Sequence, residues 1–284
     1  MKFLKNLLFH LKKNNRSFNP VFIIGCGRSG TTILGKTLSQ HPEIKYLNER
    51  RDLWHKAYPK FDIWKKEIND SILFADKSNI TPKKNSILRT LFFKEQVLDN
   101  AKILLEKLPA NNFRLDFLKN SFPEAKYIYL TRNGLEVSAS IEKKILEKKW
   151  FVGKKLDLLI EFAKTKNLPF NPKTITDIEK GMLEWRLSMD ESTLFFKSLS
   201  KKRFVHVSYQ DFVENPKNSL CQIFDFLNIN SNNKLLSELS KNITRKNASL
   251  NYSDNDALNK IGGEILIQTI ANNYCPFLVS SQKK

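Results

Sequence analysis

Short apolar runs alternate along the chain with longer stretches in which apolar residues recur at helical spacing. Runs of this kind are typical of parallel strands, because a strand covered on both faces shows no polar alternation. We predict strands at 21–24, 44–47, 126–130 and 203–207. We predict helices at 31–40, 84–108, 111–121, 134–149, 174–200 and 216–227, with Asn112 as the N-cap of the third helix.

The alternation of strands and helices indicates an α/β fold with a central, mostly parallel sheet flanked by helices. No internal repeat and no Gly/Ser-rich linker divides the chain. We therefore expect two parts: a basic amphipathic segment at 1–18 and one domain at 19–284.

The N-terminal segment reads MKFLKNLLFHLKKNNR, with apolar residues at helical spacing and basic residues that no acid offsets. This pattern suits an interfacial helix on anionic lipid, and equally a helix that packs on the domain or frays. No stretch approaches eighteen consecutive apolar residues, so we predict no transmembrane helix. The expectation is a cytoplasmic protein, with peripheral membrane contact through this segment as one option.

Composition narrows the class of protein. The chain has 284 residues, 41% of them hydrophobic, which excludes a disordered chain. Its three cysteines, Cys26, Cys221 and Cys275, match neither a disulfide scaffold nor a zinc-ligand spacing. Lys and Arg number 48 against 29 acids, a net charge of +19. Such a charge favours anionic partners, although a general Lys and Asn bias of the chain would produce the same excess.

The first motif is a glycine-rich turn between a predicted strand and helix. Residues 25–32 read GCGRSGTT, and backbone amides at such a turn face an anion. The ATP-binding form is GxxxxGK[ST], but Thr31 stands at the lysine position and a basic residue, Arg28, comes earlier. The loop predicts a P-loop-type, three-layer fold in which the amides of 29–32 hold a 5′-phosphate. The alternative is a tight turn whose Ser and Thr only cap the helix.

The second motif begins at Arg132, which leaves the carboxyl end of a predicted strand. Ligands bind at this end in open α/β sheets. Ser140 follows eight residues later, about two helical turns on. Arginine suits a phosphate because its planar fork donates two parallel hydrogen bonds.

The GRSGTT loop, followed by His41-Pro42-Glu43, resembles the sulfotransferases that use 3′-phosphoadenosine 5′-phosphosulfate (PAPS). The resemblance is to the arginine-loop type, as in bacterial and tyrosylprotein-like members, and it spans about residues 20–230. It implies that Arg132 and Ser140 bind the 3′-phosphate and that no metal is needed. It also implies a set of residues around the 5′-phosphosulfate: Arg28, Ser29, Gly30, Thr31 and Thr32.

The resemblance further implies catalytic roles. Glu49 is the candidate base for the acceptor proton, and Arg51 is expected to assist it. Lys107, in a Lys-Leu-Pro sequence, resembles the lysine that supports the leaving oxygen together with Arg28. Tyr209 is expected either to approach the nucleotide or to pack in the core. Four further expectations concern basic residues: His41 is structural, His55 and His206 are weaker candidate bases, and Arg245-Lys246 is a weak second phosphate contact.

The sequence thus predicts a PAPS-dependent sulfotransferase acting on a hydroxyl or amine. Its partners would be the nucleotide donor and an unidentified acceptor, and not nucleic acid. A glycan, a lipid, a small metabolite and a peptide tyrosine all stay open as the acceptor. Residues 150–200 match no motif and are expected to set acceptor specificity. Two alternatives stay open: a divergent P-loop kinase or NTPase that uses Mg²⁺, and a non-catalytic basic protein that binds polyanions.

Overall fold

A computed structural model describes residue 9 and residues 17–241, 243–244 and 256–271, with side chains up to 268 in the last range. Five strands form one parallel sheet in the order β2-β3-β1-β4-β5. The strands are β1 Pro20–Ile24, β2 Ile44–Asn48, β3 Ile103–Lys107, β4 Lys126–Thr131 and β5 Phe204–Ser208.

Helices cover both faces of this sheet. In chain order they are α1 Thr31–Leu38, α2 Arg51–Ala57, α3 Pro82–Leu98, α4 Leu115–Ser121, α5 Gly134–Leu146, α6 Lys155–Thr165, α7 Asp177–Ser198, α8 Tyr209–Glu214, α9 Pro216–Leu227, α10 Asn233–Ser240 and α11 Asp256–Ala271. Short 3₁₀ turns join several of them.

Alternate residues of each strand enter two separate hydrophobic cores. On one face Val21 and Ile23 of β1 pack with α1 and α8–α10. On the other face Phe22 and Ile24 pack with α2–α7 and α11. The sheet is therefore the middle of three layers, which confirms the predicted fold class.

The prediction of one helix over 84–108 is wrong. Helix α3 ends at Leu98, Asn100 adopts a left-handed conformation (φ 57°), and the chain then enters β3. All five residues of β3 are buried, so the strand carries no polar alternation that would distinguish it from the preceding helical pattern.

Asn112 is not an N-cap. It lies in a buried 3₁₀ turn at Pro109–Phe113, and α4 begins only at Leu115. Its amide oxygen accepts from the backbone N–H of Gly25 at 2.9 Å, and its amide nitrogen donates to Ser188 Oγ at 2.7 Å. Asn112 thus ties the end of β1 to α7.

Of the N-terminal segment only Phe9 and residues 17–18 lie within the described residues. Phe9 is buried, with its ring edge-on to Phe93 of α3 at 5.9 Å between centroids. At Phe9, this contact favours the alternative in which the segment packs on the domain. Arg245-Lys246 and Cys275 lie outside the described residues. In the described part of the chain, no helix combines the length and apolar character needed to cross a bilayer.

Candidate active site

The loop between β1 and α1 presents backbone N–H groups at the carboxyl edge of the sheet. Gly30 precedes α1 in the left-handed region (φ 94°), and no described side chain caps the first turn of the helix. A Cβ on Gly30 would lie 2.5 Å from the ring of Tyr209, so the tyrosine packs directly on the loop. The open amides at 30–32 leave the helix N-terminus available to an anion.

Lys107 connects the loop to the candidate base. Its Nζ donates to Thr32 Oγ1 at 2.9 Å and forms a short salt bridge with Glu49. Strand pairing explains the contact, because Asn48 of β2 is in register with Lys107 of β3 and Glu49 follows at once. The lysine side chain is 1% exposed, while that of Glu49 is 44% exposed. A buried ammonium thus bridges the loop and an accessible carboxylate.

Arg28 and Arg132 bring two positive charges to the other side of the loop. Arg28, itself in a left-handed conformation (φ 69°), donates from Nε to Ser140 Oγ at 3.1 Å. Arg132 donates to the backbone oxygen of Arg28 at 3.0 Å, and its guanidinium lies 4.1 Å from the centre of the Tyr209 ring. Burial, and next the neighbouring charge of Arg132, lower the pKa of Arg28. An anion here would favour the charged form of Arg28 and so offset both effects.

The predicted pair of Arg132 and Ser140 is arranged differently from the expectation. Ser140 contacts Arg28, whereas Arg132 forms a salt bridge with Glu136 at 2.7 Å. Both residues still meet at Arg28, so the structure brings the two predicted phosphate sites within one network. Ser138 turns back to the helix, where its hydroxyl donates to Gly134 O at 2.7 Å.

A cavity of about 880 Å³ opens in front of the loop. Arg28, Thr31, Thr32, Glu49 and Lys107 all line it. Three other predicted residues do not line the cavity but contact the loop behind it. Ser140 and Arg132 contact Arg28, and Tyr209 packs on Gly30. The predicted catalytic residues therefore share one cavity of a size suited to small-molecule ligands.

Three residues beneath and beside the loop were missed by the sequence analysis. Trp150 packs so closely on Gly27 that a Cβ there would lie 2.5 Å from the indole. The indole N–H donates to Glu184 at 2.7 Å, and Glu184 pairs with the buried Lys155 at 2.7 Å. These residues come from the α5–α6 connection and from α6 and α7, and no sequence spacing links them.

The histidines take different positions. His41 donates from Nε2 to Asn230 O at 2.9 Å, and its Nδ1 accepts from the N–H of Glu43 at 3.2 Å, a structural bridge. His206 is paired with Thr131, and burial lowers its pKa to about 4. His55 lines the cavity, with Nδ1 3.6 Å from a carboxylate oxygen of Asp62.

Similar proteins were found by sequence and by structure. Protein-tyrosine sulfotransferase A of Caenorhabditis elegans is 25% identical over 224 residues, 78% of this chain and 53% of that protein. Protein-tyrosine sulfotransferase 1 of Danio rerio is 24% identical over 226 residues, 78% and 56% of the two chains. The chain thus spans about half the length of the curated relatives it matches.

Solved structures share the fold at low sequence identity. The sulfotransferase domain of the Synechococcus PCC 7002 olefin synthase superposes with a TM-score of 0.52 at 20% identity, over 90% of this chain and 85% of that chain. The sulfotransferase STF9 of Mycobacterium avium gives 0.53 at 13% identity, over 95% and 78%. The profile of the sulfotransferase family matches residues 20–233, which is most of the chain. The chain therefore belongs to the sulfotransferase family.

Proposed function

We propose that this protein transfers a sulfuryl group from PAPS to a hydroxyl or amine of an acceptor. The observation that carries the proposal is the network around Arg28, in which two guanidinium groups and an uncapped helix N-terminus converge beside a Lys–Glu pair. A nucleotide with phosphates at both the 5′ and 3′ positions matches two adjacent cationic sites. ATP offers no second phosphate position for Arg132.

The backbone amides of 30–32, the hydroxyls of Thr31 and Thr32, and Arg28 would hold the 5′-phosphosulfate. The Ser29 amide differs from the expectation, because its N–H donates to Cys26 O at 3.1 Å within the turn. Arg132 and Ser140 would bind the 3′-phosphate, with Arg132 exchanging part of its contact with Glu136 for the ligand. Tyr209 supports this side by packing on Gly30 and on the Arg132 guanidinium.

The transfer needs little covalent chemistry from the protein. The acceptor oxygen forms a bond to sulfur, the bond from sulfur to the phosphate oxygen breaks, and the acceptor proton passes to Glu49. Negative charge then gathers on the phosphate oxygen, where Lys107 and Arg28 stabilise it. Lys107 suits this role because its ammonium contacts both the loop hydroxyl of Thr32 and Glu49.

The kinase or NTPase alternative fits this geometry less well. In those enzymes the Ser or Thr that ends the loop ligates Mg²⁺. Here the corresponding hydroxyl, that of Thr32, accepts a hydrogen bond from the Lys107 ammonium. A cation of the protein therefore already occupies the neighbourhood in which the metal would sit.

We propose a reducing, cytoplasmic location for the protein, which the free thiols of Cys26 and Cys221 support. The acceptor is proposed by reaction class, as a molecule with a free hydroxyl or amine.

Thermal unfolding with added ligands tests the donor assignment. The ligands are adenosine 3′,5′-bisphosphate, ADP, and ATP with Mg²⁺. At about a hundred times its Kd a ligand should stabilise the fold by about 2.7 kcal/mol. We expect the bisphosphate to stabilise the protein most and Arg132→Ala to abolish its advantage over ADP.

Arg89→Ala is the matched control, because Arg89 forms a salt bridge of the same length, 2.7 Å, with Glu124 outside the site. This variant should keep the full response to the bisphosphate. Equal or greater stabilisation by ATP with Mg²⁺ would contradict the proposed function and favour a kinase.

A further inference from the structure

The last turn of α5 and its connection to α6 carry exposed apolar and basic side chains, some of which border the cavity. Residues 143–154 contain five lysines and one acid, Glu147. Leu146 is 74% exposed and Val152 is 42% exposed, which places both among the most exposed large apolar residues that the structure describes. Trp150 and Phe151 lie between them, half-buried.

The positive charge of this segment is only partly neutralised. Lys144 and Lys149 share Glu147, at 2.6 and 3.4 Å. Lys143 and Lys148 are exposed and have no ion-pair partner within the described residues. Two unpaired ammonium groups therefore flank the exposed Leu146.

A second loop of similar character adjoins the first. Residues 64–66 read Trp-Lys-Lys. The two loops are joined, because the N–H of Lys154 donates to Ile63 O at 2.9 Å and Gly153 (φ 69°) packs on the backbone of Ile63 and Trp64. We call residues 64–66 and 143–154 the rim. The rim borders the cavity, since Trp64, Lys65, Lys149, Trp150 and Val152 line it.

We propose that the rim docks on an anionic phospholipid surface, with the cavity mouth facing the headgroups. Lysines at such a surface are attracted to anionic lipid, while aliphatic side chains enter the boundary of the acyl chains and tryptophans occupy the interface. A nucleic acid would use the same lysines, but it offers no apolar layer for Leu146 and Val152. The combination of charge and exposed aliphatic groups therefore favours lipid.

This surface differs from the N-terminal segment and goes beyond the proposed function. Docking is measured without donor or acceptor, so a failure of the sulfuryl-transfer assignment leaves it intact. Conversely, a protein that binds the bisphosphate but ignores vesicles would refute docking alone.

Vesicle flotation with the full chain tests the charge component. The probes are vesicles of phosphatidylcholine alone and with about one third phosphatidylglycerol. We expect binding only to the anionic vesicles, weakened at least about tenfold by Lys143→Glu with Lys148→Glu. The matched control is Lys201→Glu with Lys202→Glu, an equal charge change at exposed lysines that precede the amino end of β5.

The control pair should change binding less than about twofold, because it lies at the end of the sheet opposite the site. Absence of binding by the unmodified chain would overturn the proposal. So would equal weakening by both pairs, which indicates bulk charge, or no weakening by the rim pair, which places membrane contact elsewhere.

A second comparison tests the apolar component without changing charge. Leu146→Ser should weaken vesicle binding at least about threefold while leaving affinity for a DNA duplex at the same salt unchanged. Leu194→Ser is the control, because Leu194 is similarly exposed (68%) but lies late in α7. Tighter binding to the duplex than to anionic vesicles, or equal effects of the two substitutions, would overturn the lipid assignment.

Discussion

Glu49 is the residue proposed to accept the proton of the acceptor. It follows β2 in a left-handed conformation (φ 53°), which aims its carboxylate at Lys107 while leaving it open to the cavity. Glu49→Gln keeps an oxygen that can accept from Lys107 but removes the proton acceptor. We expect single-turnover transfer to slow by about 10²–10⁴, with the Kd for adenosine 3′,5′-bisphosphate unchanged.

The outcome separates catalysis from binding. A variant that loses bisphosphate affinity would show that Glu49 shapes the donor site instead. Turnover at the rate of the unmodified protein would move proton acceptance to another cavity residue, of which His55 is the nearest in kind.

Glu106, the neighbour of Lys107 in β3, is a buried carboxyl group that should make the stability of the fold depend on pH. It is 1% exposed, accepts hydrogen bonds from Trp54 and Asn111, and burial raises its pKa to about 8. The folded chain therefore keeps this proton over a range in which the unfolded chain has released it. The free energy of unfolding should fall as pH rises from about 4.5 to 8, by about 3–5 kcal/mol from this group.

Glu106→Gln removes this titration. Denaturant unfolding at pH 5, 6.5 and 8 should show a flatter pH dependence for the variant than for the unmodified chain. Parallel pH profiles for the two proteins would mean that Glu106 is ionised in the fold.

At the scale of elements, strands with a clear boundary could be predicted and β3 could not. A turn or proline flanks β1 and β4, which left their apolar runs distinct in the sequence. β3 follows α3 after only four residues, and Ile103–Leu105 continue its apolar content. Only pairing with β1 and β2 makes this segment a strand, and such long-range pairing has no local signature.

The same reasoning applies to the site. Arg28 lies in one loop and Arg132 at one strand end, so local order was enough to place them. Glu49 was expected in the site only from the resemblance to sulfotransferases, and the structure brings it to the same cavity as Arg28. The group of Trp150, Lys155 and Glu184 could not, since Glu184 lies 34 residues from Trp150 and meets it only through packing of α5, α6 and α7.

The contact between the loop and the α5–α6 connection should be visible as energetic coupling. Gly27→Ala places a Cβ 2.5 Å from the Trp150 indole, so we expect a loss of about 1–3 kcal/mol in stability and weaker bisphosphate binding. In the Trp150→Leu background the smaller side chain leaves room, and the same substitution should cost much less.

Chemical denaturation of the four proteins in this cycle gives the coupling energy. A coupling near zero would mean that Trp150 moves aside freely and does not hold the loop. A control cycle with Gly35→Ala, whose Cβ meets Tyr46 instead, should show no coupling to Trp150.

On the scale of the whole molecule, the net charge of +19 includes a cluster of cations at the loop. Arg132 contacts Arg28 at the loop. The buried Lys107, at the end of β3, contacts Thr32 of the same loop. The pKa of Arg28 is lowered partly by Arg132, so the unliganded site carries unfavourable repulsion. A polyanionic ligand replaces this repulsion with attraction, so donor binding depends mainly on the charges at the loop.

Salt should therefore act in opposite directions on folding and on binding. Raising NaCl from about 10 to 150 mM shortens the screening length from about 30 to 8 Å. Self-repulsion of the folded chain weakens, and a gain of about 1 kcal/mol would raise the Tm by about 2–4 °C. The same screening weakens attraction for the bisphosphate, whose Kd should increase several-fold.

The control is the double variant Lys201→Glu with Lys202→Glu, which lowers the net charge by four. It should flatten the response of the Tm to salt. It should leave the response of the Kd nearly intact, because the exchanged charges lie far from the loop. Scanning calorimetry and titration calorimetry in matched buffers measure the two responses. A Tm that falls with salt would show that paired charges, such as the buried Lys155–Glu184 contact, outweigh repulsion in this fold.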